Sequence, residues 1–179
     1  MRAYRVFPEN KFHAVLHKGD LREKGVVCDG RTLRSVWPSS GFSLTKDRGY
    51  TKGNFLSIVP LHGVFACDAR TYDLLNNEVG QGVEWLSIGV GRQTYWVVNV
   101  LGTVSEALDQ MNSEFVVFSS GRRQIEKPEF KADCLFGRML FRISEASEEL
   151  YATDRFVDLV RTHKLTGLAF WDDHLAQFI

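Results

Sequence analysis

Two neighbouring runs constrain the fold of this chain more than any other feature: Val83 to Ile88 and Gln93 to Val100, separated only by Gly89, Val90, Gly91 and Arg92. Both runs are built of β-branched and aromatic residues, and the gap has the length and glycine content of a hairpin connection. The second run, from Tyr95 to Val100, is apolar at almost every position. Such a run reads as a central strand rather than an edge.

The rest of the chain supplies further strands and a few helices. Lys11 to His17, Phe55 to Val59, Glu114 to Phe118, Arg138 to Ile143, Leu150 to Ala152 and Leu168 to Trp171 read as further strands, with a shorter apolar run at Gly25 to Cys28. Asp68 is placed to cap a helix over Ala69 to Leu75, and Ser105 a short helical turn reaching Met111. Thr153 and Asp154 open the best helix, from about Arg155 to Lys164, with Phe156, Val157 and Val160 as its apolar stripe and Gly167 just beyond it. Residues 38–53, rich in Gly, Ser and Thr, read as a surface loop. Strands outnumber helices and no βαβ rhythm appears. The expected class is α+β: one domain over residues 1–179, a mixed or mainly antiparallel sheet, a few short helices, and the C-terminal helix packed on the sheet that carries Tyr95 to Val100.

Charge and cysteine usage narrow the function classes. The 22 Lys and Arg balance 22 Asp and Glu, so the chain lacks the basic excess by which a general nucleic-acid binder releases counterions. The balance is uneven along the chain: residues 1–50 carry ten basic against five acidic side chains, and residues 51–179 twelve against seventeen. Cys28, Cys67 and Cys134 are odd in number and form no C-x-x-C pair, which fits reduced thiols and a cytoplasmic location. No apolar window is long enough for a signal or a membrane span.

No motif for catalysis or cofactor binding emerges. P-loop, Rossmann and nucleophile-elbow patterns are absent. His13 and His17 are spaced i, i+4, but on a strand that is about 13 Å, too far for one ion. Asp172, Asp173 and His174 alternate across a strand end, and Cys67 beside Asp68 has His62 only at a distance in sequence. No catalytic residue, metal site or cofactor is therefore expected.

The order of several segments does resemble a known family. Val36-Trp37-Pro38 is followed by Gly53-Asn54-Phe55-Leu56 and Val59-Pro60, then by Phe65, Ala69-Arg70 and Leu75, and by Val83-Glu84-Trp85-Leu86 and Tyr95 to Val100 with Ala107-Leu108-Asp109. Leu140-Phe141-Arg142-Ile143, Tyr151 with Thr153 to Val157, and Leu165-Thr166-Gly167-Leu168 with Phe170 complete the series and are its most specific parts. Over about residues 30–173 the chain resembles the immunity-protein family numbered eleven of bacterial polymorphic toxin systems. Asn54-Phe55 and Trp85-Leu86 stand where that family often has Asp-Phe and Leu-Pro. The resemblance implies a cytoplasmic protein encoded beside a toxin domain and neutralising it by direct binding, with no catalytic residue carried over.

For such a role, Glu145, Glu148 and Glu149 read as an acidic loop that could face a basic toxin, although a solvated loop has the same composition. Two other readings remain open at this level. One is a small cytoplasmic enzyme, a hydrolase or nucleotide-modifying protein with a dispersed site, marked by a pocket joining His62, His163 or His174 to a carboxylate. The other is a ligand-binding module with an enclosed apolar cavity.

Overall fold

The computed structural model describes residues 2–45, 50–80 and 82–172, and the backbone of 177–178. The N-terminal half contains strands β1 (Ala3–Pro8), β2 (Ala14–His17), β3 (Phe42–Leu44), β4 (Phe55–Val59), β5 (Phe65–Asp68), β6 (Val83–Val90) and β7 (Gln93–Val100), with helix α1 (Ala69–Asn76) before β6. The remainder contains β8 (Glu114–Val117), β9 (Arg123–Lys127), β10 (Leu140–Ile143), β11 (Ala146–Thr153), helix α2 (Asp154–Thr162), β12 (Leu168–Asp172) and β13 (Gln177–Phe178).

The expected hairpin forms the backbone of a six-stranded sheet ordered β3-β2-β4-β5-β7-β6. β6 and β7 pair from Val83 opposite Val100 to Val90 opposite Gln93, which leaves Gly91 and Arg92 as the loop. Gly91 takes φ 63°, the sign a two-residue hairpin needs at its first position. β7 is paired on both sides, as its apolar sequence predicts. All pairs are antiparallel except β2 with β4. The outer strands β3 and β6 come into contact, so the twisted sheet curls into a barrel-like shape. Inward residues Val15, Leu56, Ile58, Ala66, Leu86, Ile88, Tyr95 and Val97 fill it, joined by Leu21, Val26 and Leu33 from the 18–41 excursion.

The opposite face of β4, β5 and β7 packs on a second, antiparallel sheet ordered β10-β11-β1-β12-β13. Between them lie Phe55, Phe65, Val98 and Val100 from the first sheet and Tyr4, Val6, Leu150, Ala152 and Phe170 from the second. Phe156, Val157 and Val160 of α2 enter this same cluster, with Phe156 6.3 Å from Phe65 between ring centroids. The stripe thus faces β7 as expected, and the class is α+β. The far face of the second sheet, Phe141, Ile143 and Tyr151, is covered by Val104, Leu108, Ile125 and Leu135 from the 101–137 segment.

Several local expectations are corrected. The turn after Ser105 is not helical: Glu106 takes φ 61°, and Asp109 instead accepts from the amides of Met111 at 3.1 Å and Asn112 at 3.3 Å. Such a side-chain turn competes with helix hydrogen bonding. Residues 38–53 are not all loop, because Phe42 is buried against His17 and Trp37 and carries β3. Val26 and Cys28 are buried without forming a strand. Glu145, Glu148 and Glu149 are not one loop either: Glu145 sits in the turn, while Glu148 and Glu149 lie on β11.

Candidate functional site

An open concavity lies between β1 on one side and the end of β4 with the 60–64 loop on the other. It encloses about 680 Å³ and is lined by apolar Val6, Phe7, Pro8, Val59, Pro60 and Leu61 and by polar Arg5, His62, Glu148 and Glu149, among others. A second hollow of about 660 Å³ adjoins it, sharing Phe7, Pro8 and Asn10 and adding Leu168 and Ala169. Phe7 therefore stands on the ridge between two apolar hollows. Phe7 and Val59 are each 45% exposed, and exposed apolar side chains that cluster are characteristic of contact surfaces.

Beside the cleft, a buried cation ties its walls together. Arg142 on β10 is fully buried and donates Nε to Val100 O at 3.1 Å, Nη1 to Ser147 O at 3.0 Å and Glu149 O at 3.3 Å, and Nη2 to Gly63 O. Burial lowers the proton affinity of the guanidinium, although an Arg side chain stays charged in proteins. These carbonyl contacts fasten the end of β7, the 60–64 loop and β11 to one another. Gly63 fits there because a Cβ would collide with the carbonyl oxygen of Glu148, and its φ of 62° suits glycine. At the rim, Arg5 Nη1 pairs with Glu149 at 3.5 Å, and Glu149 also accepts the Tyr151 hydroxyl at 2.6 Å. Lys11 and Glu9 pair at 2.8 Å on the neighbouring hollow. The arrangement is an apolar centre inside a rim of paired charges.

The three predicted glutamates divide between surfaces. Glu148 and Glu149 border the cleft. Glu145 joins Glu149 on a different hollow of about 530 Å³, opposite Arg122 and Arg123. Arg5, Phe7 and Val59 were not singled out in the sequence. For Arg5 and Phe7 the signal was the alternation of β1, in which inward Tyr4 and Val6 leave Arg5 and Phe7 on the other face.

A small cavity of about 110 Å³ brings Cys28, His62 and Glu148 together. Burial pushes the Cys28 thiol up to about 11, against the pull of Arg142, so it is protonated at neutral pH. No hydrogen bond links the three side chains among the described residues. Burial also raises the Cys67 thiol, with Asp68 adding to the effect. His17 is engaged with Gly19 O at 2.8 Å and Ser40 O at 3.2 Å, and His163 is exposed at the end of α2. Of the Asp172 group, Asp173 and His174 lie outside the described residues; Asp172 is buried and 3.9 Å from Arg2. Among the described residues, no group of three or more His, Cys, Asp or Glu side chains could hold a metal ion.

A model of the immunity protein family Imm11 matches residues 83–174, just over half of the 179 residues. The chain belongs to this immunity protein family. The matched span runs from the start of β6 beyond the end of β12 and contains Arg142, the three glutamates and α2. It starts later than the resemblance read from about residue 30, so the barrel strands β2 to β5 and the Phe7 ridge lie outside it. No curated protein matches the chain. Immunity proteins are defined by protecting against a toxin, and an apolar centre with a charged rim is a surface suited to binding another protein. Among the described residues, no helix is long and apolar enough to cross a membrane.

Proposed function

We propose that this member of the immunity protein family binds a cognate toxin domain of a bacterial polymorphic toxin system and blocks it by occlusion, without turning over a substrate. In this reading it acts in the cytoplasm of the cell it protects and is encoded beside its toxin. The observation that carries the reading is the Phe7 and Val59 surface, exposed and flanked by hollows, in a chain of this family. Phe7 and Val59 are the central anchors, Glu148 and Glu149 set the charge of the rim, and Glu145 extends the acidic contact on the far side of β11. Central apolar anchors supply most binding energy in interfaces of ordinary size, while rim charges mainly govern encounter rate.

Expression of the adjacent toxin domain should arrest growth, and co-expression of this chain should restore it. Phe7→Ala with Val59→Ala should weaken the complex by about 30-fold or more, corresponding to roughly 2 kcal/mol. Full rescue by that variant at unchanged affinity would remove the cleft from the interface. The enzyme reading has one observation in its favour, the shared cavity of Cys28, His62 and Glu148. It requires protection to vanish in Cys28→Ser or His62→Ala while toxin binding persists; under occlusion both variants protect.

A further inference from the structure

We propose that the β8–β9 hairpin is a second contact element, a preformed arm whose apolar and Arg-bearing tip seats in a carboxylate-lined groove of the toxin; this inference rests on the occlusion reading above.

β8 pairs only with β9 among the described residues, as a two-stranded sheet outside both large sheets. Its base is firmly tied down. Ile125 is buried in the third cluster, Arg5 Nη2 donates to Ile125 O at 3.2 Å and Glu126 O at 3.0 Å, and Ser113 Oγ accepts from the Glu129 amide at 2.9 Å. The outer part is the reverse: Val116, Val117 and Phe118 are 39%, 64% and 41% exposed. The tip is nevertheless closed by the amide of Phe118 on Arg122 O at 2.9 Å and that of Gly121 on Phe118 O at 2.8 Å.

The guanidinium groups give the arm its chemistry. Arg122 stacks over Phe118 at 5.1 Å and Arg123 over Phe115 at 4.0 Å, measured to the ring centroids. Among the described residues neither guanidinium has a carboxylate within 4.0 Å or a side-chain hydrogen bond. The ion pair on this hairpin, Lys127 with Glu114 at 3.1 Å, is at its base. Two planar cations, oriented by aromatic rings with their donors unused, are prepared for bidentate capture of carboxylate or phosphate. Their ordering cost is already met in the free protein.

Two observations favour a protein groove over nucleic acid. Val116 and Val117 put aliphatic surface beside the cations, which rewards an apolar floor. Glu145 and Glu149 line the hollow that Arg122 and Arg123 also line, so a dense run of phosphates is repelled more strongly there than a few carboxylates set in apolar surface. The zero net charge of the chain adds no attraction for a polyanion.

The test measures affinity and its salt dependence for an inactive form of the toxin domain encoded beside this chain. It compares the wild type, Arg122→Glu with Arg123→Glu, Val117→Ser with Phe118→Ser, and Arg161→Glu as an exposed control on α2. Circular dichroism melts verify that each variant is folded. The arm predicts a loss of about 100-fold or more for the arginine pair, with a flatter salt dependence, a clear loss for the apolar pair, and no change for the control. Unchanged affinity in both arm variants overturns the arm and leaves occlusion standing. If the wild type binds no toxin, occlusion fails, and the arm is then judged on a glutamate–tyrosine copolymer and on oligothymidylate. Capture of the copolymer that the arginine pair abolishes supports the arm; capture of oligothymidylate instead, or of neither, overturns it.

Discussion

On β6, the carboxylate of Glu84 is 2% exposed and accepts from the Thr32 hydroxyl at 2.6 Å, the Leu33 amide at 2.8 Å and Asn99 Nδ2 at 3.1 Å, with Arg34 Nε at 3.2 Å. Burial pushes its pKa up, but the donors from Leu33, Thr32, Asn99 and Arg34 outweigh that and hold it below the ordinary carboxylate value. A depressed pKa contributes stability above the unfolded value of about 4.3, and that contribution is lost as pH falls through the folded value. Glu84→Gln should therefore be less stable than wild type at pH 7, and the gap between their urea midpoints should narrow on acidification below about pH 4. A gap constant with pH would mean that the ionised form is not what pins the 31–34 segment. Lys164 gives a prediction of the opposite sign. It follows α2 with φ 52°, and the amides of Lys164 and Leu165 bond back to Arg161 O at 3.0 Å and Val160 O at 2.9 Å. This left-handed position after a helix favours glycine, so Lys164→Gly should raise stability by about 0.5–1 kcal/mol in denaturant unfolding. Gly167, read as the stop signal, instead allows the following loop to approach Phe55, whose carbonyl a Cβ would strike.

Helix α2 was legible because its apolar residues recur with the helical period, and the β6–β7 hairpin because two β-branched and aromatic runs flank a glycine-containing gap of hairpin length. α2 carries its three apolar residues on one side, and Phe156 lies between Phe65 at 6.3 Å and Phe170 at 6.1 Å with no exposed surface. Phe156→Ala should cost about 3–5 kcal/mol in urea unfolding; a change within error would mean the ring is not clamped between the sheets. β3 and β9 were not legible for physical reasons. β3 is three residues long, too short for alternation to appear. β9 buries only Ile125 among Arg123, Gln124, Glu126 and Lys127, so its composition is that of a solvated loop and pairing with β8 decides its state. The site was less legible than the fold. Three glutamates close in sequence suggested one surface, but adjacent positions on β11 point to opposite sides, and the cleft forms only where β1 of one sheet comes beside β4 of the other and the 60–64 loop.

At the scale of the molecule, one buried cluster joins the two large sheets and α2, and Arg142 bonds across β7, the 60–64 loop and β11. The chain should accordingly behave as one domain. Trp37, Trp85 and Trp96 report on the barrel-like sheet and its cover and Trp171 on β12 of the second sheet, while far-ultraviolet circular dichroism reports on all strands, so the two signals should give one coincident urea transition. Fluorescence and circular dichroism moving at different urea concentrations would show that the sheets unfold separately. Occlusion also has a definite stoichiometry. The most direct measurement holds an active toxin domain at a fixed concentration far above the dissociation constant and titrates in this chain while following toxin activity. Occlusion predicts a linear fall to zero that breaks at one equivalent and does not change with incubation time. Protection well below one equivalent that deepens with time would mean that each molecule disposes of many toxin molecules or their products, and would contradict it.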